Sequence, residues 1–144
     1  MNPGIFREYD IRGVADKDLT EEDVALIGKG IGAYLLARGK SKLVVGRDCR
    51  ITSGSYSERI IEGLLSTGCD VTDIGVCPTP VLYFSIQHLK KEGAVMVTAS
   101  HNPPEYNGFK VCIGSDSMHG KDLLEILGII RQKAFPSGKG ARSS

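Results

Sequence analysis

No tryptophan occurs among the 144 residues, and aromatics make up only 6% of them. Charge of one sign is lacking as well: 18 basic residues against 17 acidic ones leave a formal +1. Such a balance makes no global field that would gather nucleic acid or an anionic membrane, so neither is expected as a partner. Any anion site must be a local arrangement of a few side chains. The four cysteines, Cys49, Cys69, Cys77 and Cys112, form no CxxC pair, and His88, His101 and His119 complete no metal-ligand spacing. A disulfide scaffold is not expected in a chain with this much apolar periodicity. No apolar run approaches a membrane span. The first ten residues include Arg7, Glu8 and Asp10 and lack the apolar stretch of a secretory signal. The expected location is cytoplasmic, with reduced thiols. Neither GxGxxG nor a Walker A sequence occurs, so the dinucleotide and nucleoside-triphosphate readings lack their motifs.

What is present is an alternation of helical and strand patterns. Residues 1 to 20 read as loop, with a charged cluster of Arg7, Glu8, Asp10 and Arg12. Thr20 is placed to N-cap a helix whose first turn carries Glu21, Glu22 and Asp23, where the helix dipole favours acids. Val24, Ile27, Ile31, Tyr34 and Leu35 then recur at helical spacing until Gly39. KLVVG, 42 to 46, reads as a strand. A helix from 56 to 66 with Ile60, Ile61, Leu64 and Leu65 on one face follows, then a strand near 70 to 74. Pro78 and Pro80 open a third helix through His88. AVMVT, 94 to 98, is apolar on both alternations, as an interior strand covered on two faces would be. GFKVCI, 108 to 113, is the last strand and 121 to 135 the last helix. The Gly, Ser and Lys content of 136 to 144 reads as a linker or tail. The expected fold is α/β, a three-layer α/β/α arrangement around a four-stranded mixed sheet. Its last two strands lie too close in sequence for a parallel crossover and should form an antiparallel hairpin.

The chemistry concentrates in TASHNPPEYNGFK, 98 to 110. An interior strand delivers Ser100 to its C-terminal end, where α/β proteins bind ligands. Pro103 and Pro104 fix φ and remove two N–H donors, which stiffens the turn. The hairpin is expected to return Lys110 as an approximate cross-strand neighbour of Ser100. Ser100, His101 and Lys110 would then share one rim. That set suits phosphoryl transfer: a serine hydroxyl loses its proton as it attacks, and His101 or Lys110 is at hand to take it. A phosphoserine carries roughly −1.5 to −2 charge, and fixed cations would hold it. The plainer reading is a polar hairpin loop satisfying its own backbone. No GxSxG elbow surrounds Ser100, which weakens a serine-hydrolase reading.

TASHNPPEYNGFK resembles the active-serine loop of the α-D-phosphohexomutases, the phosphoglucomutase and phosphomannomutase family. FREYDIRG, 6 to 13, resembles the same family's N-terminal signature, and VVGRDCR, 44 to 50, a third family segment. The wording is similar to that of the dual-specificity bacterial branch, with phosphoglucosamine mutases second. The resemblance implies that Ser100 is a phosphoserine, primed by a bisphosphorylated hexose, whose phosphate oxygen also completes Mg²⁺ coordination. It makes Lys110 and His101 candidate acid/base groups, and Arg12, with Tyr9 and Arg7, lining of the cleft. The implied substrate is a hexose 1-phosphate or 6-phosphate of glucose or mannose. Against this stand local pairings, Arg12 with Asp10 and Arg7 with Glu8, and internal salt bridges for Arg47 and Asp48. Ser53 and Ser55 read as helix caps.

The family layout has four domains, and residues 1 to 135 correspond to the first. No counterpart of the DGDxDR magnesium loop or the GExSGH sugar loop occurs in the 144 residues. The remaining magnesium ligands are therefore expected in other domains of the same polypeptide, and this chain by itself is expected to be inactive. The competing class is a stand-alone anion- or partner-binding module without catalysis.

Overall fold

The computed structural model describes residues 1–144. A short 3₁₀ turn at Pro3–Ile5 leads into β1 (Ile11–Val14), and α1 (Glu21–Leu36) follows. The start of α1 is a capping box: Thr20 Oγ1 accepts from the Asp23 amide at 3.1 Å, and Asp23 Oδ2 accepts from the Thr20 amide at 3.2 Å. The core then alternates strictly through β2 (Lys42–Arg47), α2 (Ser53–Thr67), β3 (Asp70–Val76), α3 (Thr79–His88) and β4 (Gly93–Val97). β5 (Tyr106–Ile113), β6 (Asp116–Ser117), α4 (Gly120–Gln132) and β7 (Arg142–Ser143) complete the chain.

The sheet is mixed and has seven strands, in the order β1-β5-β4-β2-β3-β7 with β6 on β5. The expectation of four strands is corrected by three short ones, and each owes its place to a neighbour. β1 lies in the stretch read as loop. Its four residues, IRGV, carry no usable periodicity, and they become a strand by pairing antiparallel with β5. β6 continues the chain back along β5. β7 sits in the segment expected as linker or tail, where Arg142 and Ser143 pair parallel with Val71 and Thr72 of β3. The hairpin between β4 and β5 is antiparallel, with Val97 opposite Phe109 and Met96 opposite Lys110.

β3 and β4 flank β2 on opposite sides, both parallel to it. Right-handed crossovers in opposite directions must put their helices on opposite faces. α2 accordingly joins α1 and α4 on one face, and α3 covers the other. The first face holds a 26-residue core that includes Ile27, Ile60, Ile126, Val95 and Phe109. The second holds six residues around Leu82, Ile86 and Met96. Val95 and Val97 point to the first and Ala94 and Met96 to the second, which explains why β4 is apolar at every position. α1 and α2 approach closely where Gly28 meets Gly63: a Cβ on Gly63 would fall 2.9 Å from the Gly28 Cα. This topology leaves a crevice between the C-terminal ends of β2 and β4. No helix is long and apolar enough to cross a membrane.

Candidate active site

Ser100 lies three residues beyond β4, at that crevice. It is exposed, and its backbone is left-handed at φ +55°. For a residue with a Cβ this costs roughly 1–2 kcal/mol, so the surroundings must hold it there. Part of the hold is local. Thr98 Oγ1 accepts from the Ser100 amide at 3.0 Å, and the Asn102 side-chain amide donates to the Ala99 carbonyl at 2.8 Å.

The larger part comes from a residue that motif reading passed over. Arg50, in the turn after β2, donates from Nη2 to the carbonyls of Ser100 (2.7 Å) and Asn102 (2.9 Å). From Nη1 it donates to those of Pro103 (2.8 Å) and Tyr106 (3.2 Å). Its Nε donates to Asp48 Oδ2 at 3.2 Å. Asp48 is steadied in turn by Ser53, whose hydroxyl donates to Oδ1 at 2.5 Å. Ser53 is thus tied to the crevice, while α2 has Thr52 at its N-cap position with no side-chain cap bond. Ser55 Oγ donates to the Thr52 carbonyl at 3.2 Å. The fully buried Asn107 fastens the far end of the loop, donating to Thr52 Oγ1 at 2.8 Å and to Ser53 Oγ at 3.0 Å. The signal available in the sequence was the RDCR spacing, but the acceptors are backbone carbonyls that no side-chain motif encodes.

Two clefts meet at Ser100. The first, of about 440 Å³, is lined by Arg7, Tyr9, Arg12, Lys110 and Tyr83 among others, with the acids Glu8 and Asp10 also at its wall. The second, of about 420 Å³, is lined by Asp48, Cys49, Arg50, Thr98 and Asn102. Lys110 reaches the first cleft from the middle of β5, where its register partner is Met96, not Ser100. The two residues are brought together by the cleft and not by cross-strand pairing. His101 is exposed and lines neither cleft.

Arg12 enters from β1, where its partner is Gly108. Its Nε is buried and has no hydrogen-bond partner. The local pairings weighed against a site role do not form: no ion pair engages Arg7, Arg12 or Lys110. Arg47 instead faces Asp73 at 3.8 Å, and Asp48 holds Arg50. His119 stands edge-on to Tyr9 with ring centroids 5.7 Å apart, and His88 stacks on Phe84. All four cysteines are free. Burial pushes the thiols of Cys69 and Cys112 above the ordinary range, which leaves them inert.

No group of three or more His, Cys, Asp or Glu side chains is placed to hold a metal ion. A magnesium ion wants six or so oxygens, and the first cleft offers mainly cations around Ser100. The residues of this chain do not by themselves fit that ion.

The protein is a three-layer α/β/α domain in which an exposed, left-handed serine borders a cleft whose three cations, Arg7, Arg12 and Lys110, make no ion pair. Residues 3–136 match the family described as "Phosphoglucomutase/phosphomannomutase, alpha/beta/alpha domain I", and the chain belongs to that family. It is 42% identical over 137 residues to the phosphomannomutase/phosphoglucomutase of Pseudomonas aeruginosa, a match covering 95% of this chain and 30% of the relative. It is 41% identical over 131 residues to the phosphoglucomutase of Neisseria meningitidis, covering 91% of this chain and 28% of the relative. Among solved structures, a phosphoglucomutase/phosphomannomutase family protein of Burkholderia thailandensis superposes with a TM-score of 0.94 at 33% identity. That match covers 99% of this chain and 33% of the other. The chain therefore spans about 30% of the length of the curated relatives it matches.

Proposed function

We propose that this chain is the phosphoserine-bearing part of a phosphohexomutase that interconverts the 1- and 6-phosphates of glucose or mannose. The observation that carries this reading is Arg12, which lines the cleft that Ser100 borders, makes no ion pair and has an Nε without a hydrogen-bond partner. An orphaned buried donor carries a cost of about 1–3 kcal/mol unless a ligand accepts from it, and a phosphate oxygen is the acceptor a guanidinium suits best.

In the first half-reaction, phosphoserine gives its phosphoryl group to a hexose monophosphate. The bond from Ser100 Oγ to phosphorus breaks, a bond from a sugar hydroxyl oxygen to phosphorus forms, and the sugar's proton is released. Lys110 protonates the departing Oγ. In the second half, a bond from Ser100 Oγ to the other phosphorus of the hexose bisphosphate forms as the bond from that phosphorus to its sugar oxygen breaks. The serine proton returns to Lys110, and the departing sugar oxygen takes up the equivalent of the proton released in the first half. The product is the isomeric monophosphate, with the phosphoserine restored. Arg7, Arg12 and Tyr9 hold the anion while this happens. Lys110 is preferred to His101 as the proton carrier because it lines the cleft that Ser100 borders. Magnesium, which neutralises phosphate charge when bound, takes its ligands largely from outside these residues. With sugar recognition assigned to other domains of the polypeptide, the 144 residues alone turn over negligibly.

The test is intact-mass analysis of the polypeptide after incubation with glucose 1,6-bisphosphate. One added phosphate, mapped to Ser100 by fragmentation and absent in Ser100→Ala, is the expected result. Lys110→Met should slow uptake about a hundredfold. Unchanged uptake in Ser100→Ala sinks the assignment, and reversible binding without covalent transfer supports the module reading instead.

A further inference from the structure

We infer that Arg50 is the positioning residue for the nucleophile: its guanidinium holds the 100–106 loop in the one conformation that presents Ser100 to the cleft. This rests on the phosphoryl-transfer reading above and adds a residue to which no role has been assigned.

A guanidinium carries five N–H donors in a rigid plane. All five are used here, four on the carbonyls of Ser100, Asn102, Pro103 and Tyr106 and one on Asp48. Arg50 therefore has nothing left to offer a phosphate, although it lies beside Ser100 in the second cleft. Its charge is spent on the protein's own backbone.

Without Arg50 the loop carbonyls of Ser100 and Asn102 would lack donors. Pro103 and Pro104 supply no N–H. The Asn102 amide turns back to the Ala99 carbonyl and the Tyr106 amide to that of Pro103. No backbone donor reaches the carbonyls of Ser100 or Asn102, so Arg50 is their only protein partner. These carbonyls converge on one point, which only a planar, many-donor cation satisfies together. A lysine has three donors and no fixed plane. The grip falls on the carbonyl of the residue whose backbone is left-handed, so it opposes relaxation of Ser100 toward an ordinary conformation. Arg50 is itself aimed by Asp48, which accepts from both its Nε (3.2 Å) and its own amide (3.1 Å).

The consequence is kinetic. Displacing a nucleophile by about 1 Å costs on the order of a hundredfold in rate, while groups that bind the substrate stay in place. Arg50→Lys in the intact polypeptide should lower the saturated rate of Ser100 phosphorylation by glucose 1,6-bisphosphate about a hundredfold. The half-saturating concentration should move less than about threefold, because Arg12, Arg7 and Lys110 are untouched. Arg50→Ala should behave likewise, and guanidinium ion added well below denaturing concentration should restore part of its rate.

Hydrogen exchange supplies a readout that needs no turnover. In Arg50→Lys the amides of Asn102 and Tyr106 should exchange at least about tenfold faster, while those of Val95 and Val111 in the β4–β5 pair keep their protection. Unchanged protection of Asn102 and Tyr106 overturns the clamp, whatever Ser100 does. Lost protection with an unchanged phosphorylation rate overturns the positioning role. A wild-type polypeptide that never takes phosphate at Ser100 overturns the functional reading and the catalytic half of this one, and the exchange result then decides the clamp alone.

Discussion

Gly108 lies directly across the β1–β5 pair from Arg12, and a Cβ on Gly108 would stand 3.0 Å from the Arg12 Cα and 3.2 Å from its Cβ, with the Ile11 carbonyl oxygen closer still. The cleft's half-buried arginine can lie against β5 only because this position has no side chain. Gly108→Ala must push β1 away from β5. It should destabilise the chain by about 1–3 kcal/mol, the usual cost of overpacking, and weaken phosphate binding at Arg12. Urea unfolding and phosphate titration check the two effects; a variant as stable as the parent shows that β1 yields freely.

The left-handed backbone of Ser100 separates strain from chemistry. Ser100→Ala removes the hydroxyl and keeps the φ +55° conformation, whereas Ser100→Gly removes both the hydroxyl and the Cβ penalty. The glycine variant should be the more stable of the two by about 1 kcal/mol, and neither should take up phosphate. Paired denaturation curves decide it, and equal stabilities would mean the conformation carries no strain.

Between two helices, the hydroxyl of Tyr34 donates to Asp122 Oδ1 at 2.8 Å, tying α1 to α4. This hydrogen bond holds the Asp122 carboxyl below its ordinary range. Burial, and then the same bond, pushes Tyr34 up to about 12. A lowered aspartate contributes stability above its unfolded pKa, about 4, and loses it as pH falls through the folded value. A raised tyrosine contributes fully below about 10 and loses it as pH rises toward 12. Tyr34→Phe should cost about 1 kcal/mol at neutral pH, with the difference from the parent shrinking at both extremes. Thermal melts across pH measure this, and a constant difference would rule out the titration.

At the opposite sheet edge, Arg142 pairs with both oxygens of Glu58 at 2.7 and 2.8 Å and with Asp73 at 2.9 Å. These groups are partly exposed, so Arg142→Ala should cost only about 1 kcal/mol or less, and less again at high salt. The local effect should be larger. The Val71 amide, which donates to the Ala141 carbonyl at 2.9 Å, should lose at least about tenfold of its exchange protection. Intact protection would mean that other contacts hold β7.

The elements that carry their own signal were legible without coordinates. The Thr20 cap with Asp23, the helical spacing of Val24, Ile27 and Ile31, the doubly apolar β4 and the short β4–β5 connection each follow from local propensity or loop length. Ser100 at the end of β4 followed from the same pattern, and the family from three motifs in order. What the chain alone could not disclose depends on partners distant in sequence. β1 and β7 are strands only because β5 and β3 lie beside them. Lys110 belongs with Ser100 through the shape of a cleft and not through register, and Arg12 is left unpaired although acids flank it in the chain. Arg50 answers to four carbonyls that converge only after β2 and β4 are side by side. Side-chain periodicity is written in the sequence, but the direction in which a backbone carbonyl points is settled by the folded chain.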